Sequence, residues 1–140
     1  ARTQMAYGLS VCDILKISDN EIQWFSGKED YTEGIHMLQQ TYQIPLILLS
    51  MGKDGSRAYY KDMLVEVPAF LQKNTIETTG AGDTFGACCL HHILKYGLDN
   101  LTKQQLKEML TFANAAASII TTRKGALRVM PSLEEIQRLL

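Results

Sequence analysis

A chain of 140 residues and 15.7 kDa with 46% hydrophobic residues can build one buried core and little of a second, so a single domain over 1–140 is expected. Its 14 Lys and Arg nearly balance its 15 Asp and Glu, which argues against a nucleic-acid partner, and no apolar run approaches the ~20 residues that span a bilayer. Three cysteines, Cys12 and the adjacent Cys88 and Cys89, lack the spacing of a disulfide framework or zinc site; with no signal-peptide layout at the start, a cytoplasmic protein is expected.

In chain order, residues 1–8 carry no initiator Met and run without a linker towards a strand-like segment, which reads as the continuation of a longer chain. That segment, Cys12 to Ile17, is an apolar run ending in Ser18-Asp-Asn-Glu21, the start of a helix over Asp19 to Ser26 that Gly27 closes. Ile35, Leu38 and Tyr42 share one face of a second helix over Glu29 to Tyr42. The unbroken apolar run Ile44 to Leu49 predicts a parallel strand covered on both faces, with Pro45 tolerated near its first position. After the turn Gly52-Lys-Asp-Gly55, Arg57 to Tyr60 and Leu64 to Val67 flank Lys61-Asp62 as a β-hairpin. Three helices complete the chain: Thr84 to Tyr96, stopped by Gly97; Lys103 to Thr121; and one from Ser132, which stands three residues before Glu135 as in a capping box. This order predicts an α/β fold, a mostly parallel sheet with helices on its faces plus a hairpin, with the ligand site beyond the carboxyl ends of the strands.

Glu77-Thr-Thr-Gly-Ala-Gly-Asp83 leads directly into a helix. Gly80, Ala81 and Gly82 let backbone approach a bulky ligand, and the helix amino terminus offers N–H donors with partial positive charge to anionic oxygens such as those of phosphate. Asp83 would repel a phosphate that was merely bound. A carboxylate there makes sense as a base for an attacking hydroxyl beside a migrating phosphoryl group. Taken alone, an ordinary turn and a first-turn Asp account for these residues better. Neither a P-loop nor a dinucleotide Gly-x-Gly-x-x-Gly is present. His91 and His92, adjacent on a helix, point about 100° apart and do not read as a metal pair; Cys88 and Cys89 read as packing residues, and Lys103 to Lys107 as a solvated helix face.

Thr78-Thr-Gly-Ala-Gly-Asp-Thr-Phe-Gly86 closely resembles the second signature of the ribokinase-like (PfkB) sugar kinases, and other family features recur in order over residues 12 to 135. Lys16-Ile-Ser-Asp-Asn-Glu21 resembles an Asn-x-x-Glu element, with Ser18 where many members have Asn. Ser50-Met-Gly-Lys-Asp-Gly55 resembles the Thr-x-Gly-x-x-Gly turn along the nucleotide, and Phe112 to Ala117 and Thr122 to Ala126 resemble the helix and loop that flank adenine. The resemblance implies a ribokinase-like (Rossmann-like) fold and the nucleotide-binding, catalytic portion of such a kinase, without the amino-terminal half and lid. It implies Asp83 as base, with Gly80, Ala81 and Gly82 as anion hole. Ser50, Gly52, Gly55, Asn114 and Gly125 would border the nucleotide, and Ser18 and Glu21 would serve a magnesium and phosphate network.

A potassium-type site would involve Glu77 and Thr79 with carbonyls near Ile120, Arg123 and Gly125. Glu77 stands where the family more often has Asp, and Val129 falls near where some members present a hydroxyl. The implied ligands are ATP, Mg2+ and a small sugar, with K+ and a homodimer of the full-length protein as further options. The motifs look most like those of bacterial fructokinases. A 2-keto-3-deoxygluconate kinase, another PfkB sugar kinase or a non-catalytic nucleotide-binding module are the alternatives, and the 140 residues alone are expected to turn over no sugar because the acceptor-holding segments are absent.

Overall fold

The computed structural model describes residues 2–140. In chain order these form α1 (Arg2–Val11), β1 (Ile14–Ser18), α2 (Asp19–Ser26), α3 (Tyr31–Tyr42), β2 (Leu46–Ser50), a 3-10 turn at Gly52–Asp54, β3 (Ser56–Tyr60), β4 (Met63–Val67), α4 (Ala81–Tyr96), α5 (Lys103–Ile120), a second 3-10 turn at Leu127–Val129, and α6 (Leu133–Leu139). One sheet holds the strands in the order β1-β2-β3-β4. The sheet is mixed: β1 and β2 are parallel, Ile14 opposite Leu46 and Ser18 opposite Ser50, whereas the short links beyond β2 cannot make a parallel crossover. The β3–β4 hairpin turns at Lys61, whose φ of 52° is left-handed.

Packing divides the chain into two compact units. The first holds the residues up to Met51 together with Ala58–Leu64. Its core gathers Ile17, Ile22, Ile35, Leu38, Ile47 and Leu49, with Leu9, Ile44, Met51 and Tyr59 around them. All of Leu46 to Leu49 is buried, as the continuous apolar run requires when both faces of a strand are covered. Gly34 lets α3 approach α2, because a Cβ there would stand 2.8 Å from Ile22 Cγ1 and from Ser26 Oγ. The second unit comprises Gly52–Arg57 and Val65–Leu140. There α5 buries Ala113, Ala115 and Ala116, small side chains that allow close helix contact, while Ile136, Phe112, Ile119, Phe70 and Cys88 fill the space around Ala115 and Ala116.

Helix starts are set by local chemistry. Ser18 and Glu21, Thr102 and Gln105, and Ser132 and Glu135 each form a reciprocal capping box at α2, α5 and α6, and Asp30 caps α3 through the Thr32 N–H. Such caps contribute about 1 kcal/mol each. Helix α4 has no side-chain cap; it opens at Gly80, in the left-handed conformation with φ 81°. Some boundaries move from the expected ones. The first strand runs two residues later than Cys12, α3 begins behind its Asp30 cap, and α4 begins at Ala81 rather than Thr84. Helix α1 is not expected from the sequence, and it buries only Leu9.

Candidate functional site

The turn into α4 is built by two glycine-dependent contacts. Gly80 takes φ 81°, and a Cβ there would lie 3.1 Å from Ala126 Cβ and 3.2 Å from Ile120 Cδ1, so the loop after α5 presses directly on the helix start. The Ala81 N–H donates to the Thr78 carbonyl (3.2 Å) and that of Thr84 to Gly80 (2.9 Å). Between them, the N–H groups of Gly82 and Asp83 fall in the first turn, where a helix supplies no carbonyl. Asp83 is therefore an exposed, acidic residue of the first turn. Expected as the residue just ahead of the helix, it stands inside it, which fixes its backbone more firmly.

The flanking segments converge on this turn within the second unit. The Thr121 carbonyl accepts from the N–H groups of Ile76 (2.8 Å) and Glu77 (3.1 Å), tying the approach to Gly80 to the end of α5. This brings Glu77 and the segment containing Thr79 to the loop with Ile120, Arg123 and Gly125. The Ile120 carbonyl accepts from the Arg123 N–H (3.0 Å), and Gly125 takes φ 121°. Glu77 is half-buried and Thr79 exposed.

Gly52 and Gly55 separate in role. Gly52, φ 53°, faces open space, whereas Gly55, φ 99°, is buried against the chain leaving β4: a Cβ would fall on the Val67 carbonyl oxygen and 2.8 Å from Pro68 Cα. Buried Asn114 holds the same segment, its Nδ2 donating to the carbonyls of Val67 (3.2 Å) and Pro68 (3.0 Å). Asn114, expected to border a nucleotide, thus has a fastening contact with the chain beside Gly55.

In the first unit, Ser18 and Ser50 are register partners at the carboxyl ends of β1 and β2, where an α/β sheet offers its ligand crevice. Ser18 Oγ accepts from the Glu21 N–H (3.2 Å), and Glu21 Oε2 accepts from the Ser18 N–H (2.7 Å). That backbone hydrogen bond is the main cause holding the Glu21 carboxyl below its ordinary range; desolvation opposes it and Lys16 assists. Glu21 is an exposed, ionised carboxylate occupied in part by its capping box.

Sequence reasoning missed the contact of Ala126 with Gly80, the double acceptor at Thr121, and the ion pair of Arg123 with Glu135. Only the last left a trace, in the capping-box spacing of Ser132 and Glu135. Cys89 is fully buried and Cys88 half-buried against α5, as packing residues are; burial pushes the Cys88 thiol up to about 11 and that of Cys89 higher. His92 Nδ1 lies 3.0 Å from the Cys88 carbonyl and its ring 4.9 Å from that of Phe112.

Comparison with known proteins places the chain in a family. Residues 1–133 match the family described as pfkB family carbohydrate kinase. Fructokinase-1 of Zea mays is 32% identical over 140 residues, covering 100% of this chain and 43% of that protein; a fructokinase of Klebsiella pneumoniae is 34% identical over 131 residues, covering 93% and 42%. The chain thus spans less than half the length of these relatives. A fructokinase of Vibrio cholerae O395, solved bound to fructose, ADP and calcium ion, superposes with a TM-score of 0.86 at 23% identity, covering 99% of this chain and 44% of that one. A ribokinase of Arabidopsis thaliana, solved with ribose and ATP, gives 0.80 at 24% identity, covering 96% and 42%. The ribokinase-like α/β fold expected from the sequence is the fold observed. With a family match over nearly its whole length and that fold beneath it, the chain belongs to the pfkB family of carbohydrate kinases.

Proposed function

We propose that the full-length protein carrying this chain transfers the γ-phosphate of ATP to a hydroxyl of a small sugar, fructose first among the candidates, and that Asp83 is the base. The observation that carries the reading is the exposed Asp83 in the first turn of α4, beside N–H groups that the helix leaves without acceptors. A carboxylate in that position disfavours passive anion binding and favours proton removal from an attacking hydroxyl. As the hydroxyl oxygen bonds to the γ-phosphorus, Asp83 takes its proton; the bond from phosphorus to the bridging oxygen breaks, and its electron pair stays on ADP. Backbone donors of Gly80, Ala81 and Gly82 face the charge carried by the phosphoryl oxygens. The Ala81 N–H already has the Thr78 carbonyl, so Gly82 and Asp83 are the better-placed donors in that turn.

Gly52, open on its Cα side, leaves room for a nucleotide to lie against the backbone, and Gly125 of the same unit is a further nucleotide-binding residue in this reading, as Ser50 is for the first unit. Gly55 and Asn114 serve the nucleotide through the strand exit that they hold. Ionised Glu21, with Ser18, suits a network around magnesium-bound phosphate, because such an ion takes one or two carboxylates from the protein and the rest of its ligands from phosphate and water. Mg2+ would supply neutralisation of phosphate charge. The carbonyls around Ile120, Arg123 and Gly125, with Glu77 and Thr79, are oxygen donors of the kind K+ takes.

Fructose is favoured over other acceptors because fructokinases of a grass and a bacterium are both about one-third identical to this chain. The test is ADP release by the full-length protein with MgATP and, in parallel, fructose, ribose and 2-keto-3-deoxygluconate. Fructose-dependent turnover is expected, with Asp83→Asn lowering kcat at least ~100-fold and leaving ATP affinity nearly intact. Near wild-type turnover in that variant would remove Asp83 from the chemistry.

A further inference from the structure

Between α5 and α6 the chain makes a loop, 122–129, that touches the start of α4 through Ala126 and Gly80. Arg123 spans that loop. Its Nη1 donates to the Val129 carbonyl (3.0 Å), and its Nη2 pairs with Glu135 Oε1. The other oxygen of the same carboxylate, Glu135 Oε2, accepts from the Ser132 N–H (2.8 Å) and caps α6. One side chain therefore anchors two things at once: the first turn of a helix, and the guanidinium that ties the beginning of the loop to its end. Within the tied segment, Gly125 (φ 121°) and Ala126 (φ −125°, ψ −98°) have conformations that no helix or strand fixes.

We infer that Glu135 is a positioning residue for the phosphate-binding turn: acting through Arg123, it holds loop 122–129 so that Ala126 seats Gly80 and with it the donors of Gly82 and Asp83. This rests on the kinase reading above. The ion pair itself is partly exposed, with side chains 30% and 39% accessible, and such pairs add little to global stability. Its effect is geometric. A displacement of about 1 Å at phosphoryl-transfer donors can lower activity by up to ~100-fold, far more than the pair would register in an unfolding curve.

A helix cap alone would also explain a Glu at 135, and the two roles are separable. Glu135→Gln keeps an acceptor for the Ser132 N–H, since Gln serves in capping boxes, but removes the anionic oxygen that holds Arg123. Arg123→Met removes the guanidinium and leaves the cap untouched. In the full-length protein, kcat/KM for ATP should fall ~10-fold in each variant, mostly through KM, and the double variant should be no worse than Arg123→Met alone, because Glu135 acts on the loop only through Arg123. Amide hydrogen exchange should quicken in 122–129 and stay unchanged in 133–139. An active Glu135→Gln enzyme with wild-type KM for ATP, or exchange that quickens equally in 133–139, overturns the assignment. Wild-type protein that phosphorylates no sugar would sink the kinase reading by itself, and the exchange pattern would still decide whether the clasp holds the loop.

Discussion

Replacing Gly55 and Gly52 separately by Ala asks one question of two glycines three residues apart. Both have positive φ, 99° and 53°, so each Ala carries left-handed strain of about 1–2 kcal/mol, offset by roughly 0.4–1 kcal/mol because the unfolded chain also loses freedom. At Gly52 nothing lies within 4 Å of a new Cβ, and the net cost is near 1 kcal/mol or less. At Gly55 the Cβ meets the Val67 carbonyl, Pro68 Cα at 2.8 Å and the Ala69 nitrogen at 2.9 Å, all backbone atoms that cannot rotate away. Overpacking of that kind adds about 1–3 kcal/mol, for a total of about 1–4 kcal/mol. In urea this is a midpoint lower by about 1 M for Gly55→Ala and a much smaller shift for Gly52→Ala. Kinetics should reverse the order per unit of stability lost, Gly52→Ala raising KM for ATP because its methyl enters the space proposed for the nucleotide. Equal midpoints for the two variants would refute the packing argument.

Asn114→Ala should lower stability by about 2–3 kcal/mol in denaturant melts, because the carbonyls of Val67 and Pro68 lose their donor in a buried setting; a loss below about 0.5 kcal/mol would show that these bonds are replaced by water. Glu21 has a native pKa below its ordinary 4.5, so its stabilisation is complete above that value and is lost as pH falls through the lower native one. Urea midpoints of the wild type should accordingly fall faster than those of Glu21→Gln between about pH 5 and 3, and parallel curves would discount the capping carboxylate. Iodoacetamide at neutral pH, followed by peptide mapping, should label Cys12 first, Cys88 slowly and Cys89 only on unfolding, in the order of their burial; early labelling of Cys89 would contradict its packing.

The elements most legible in the sequence are those whose causes lie within a few residues. Ser18, Glu21 and Gly27 bracket α2, the apolar run marks β2, and Lys61-Asp62 marks the hairpin, each by chemistry contained in its own segment. Helix α1 carries no such signal, having no apolar stripe and one buried side chain. The start of α4 lies ahead of the expected Thr84 because two glycines in Gly80-Ala-Gly82 argue against helix by propensity, whereas the left-handed Gly80 and the Thr78 carbonyl begin it there. At the site, residue chemistry alone leaves Gly80 to Asp83 as an ordinary turn; the order of several motifs points to phosphate. Contacts such as Asn114 with Val67, or Arg123 with Glu135, join residues too far apart for any helical or strand period to announce them.

If the proposed anion site is right, the uncapped start of α4 ties folding to ligand. Four other helices in this chain settle their first N–H groups with a side chain of their own, and α4, opening on Gly80, does not. An anion seated at Gly82 and Asp83 would act as that helix's missing cap, so part of its binding free energy is helix-capping energy of about 1 kcal/mol that the chain forgoes when empty. Stability and turnover then pull on the same residue. A Ser or Asp at position 80 would be the obvious stabilising change on any other helix, yet here its side chain would strain a left-handed backbone, press on Ala126 and compete with phosphate for the donors. Directed evolution of this chain for heat resistance should therefore leave position 80 as glycine while improving almost any other helix start.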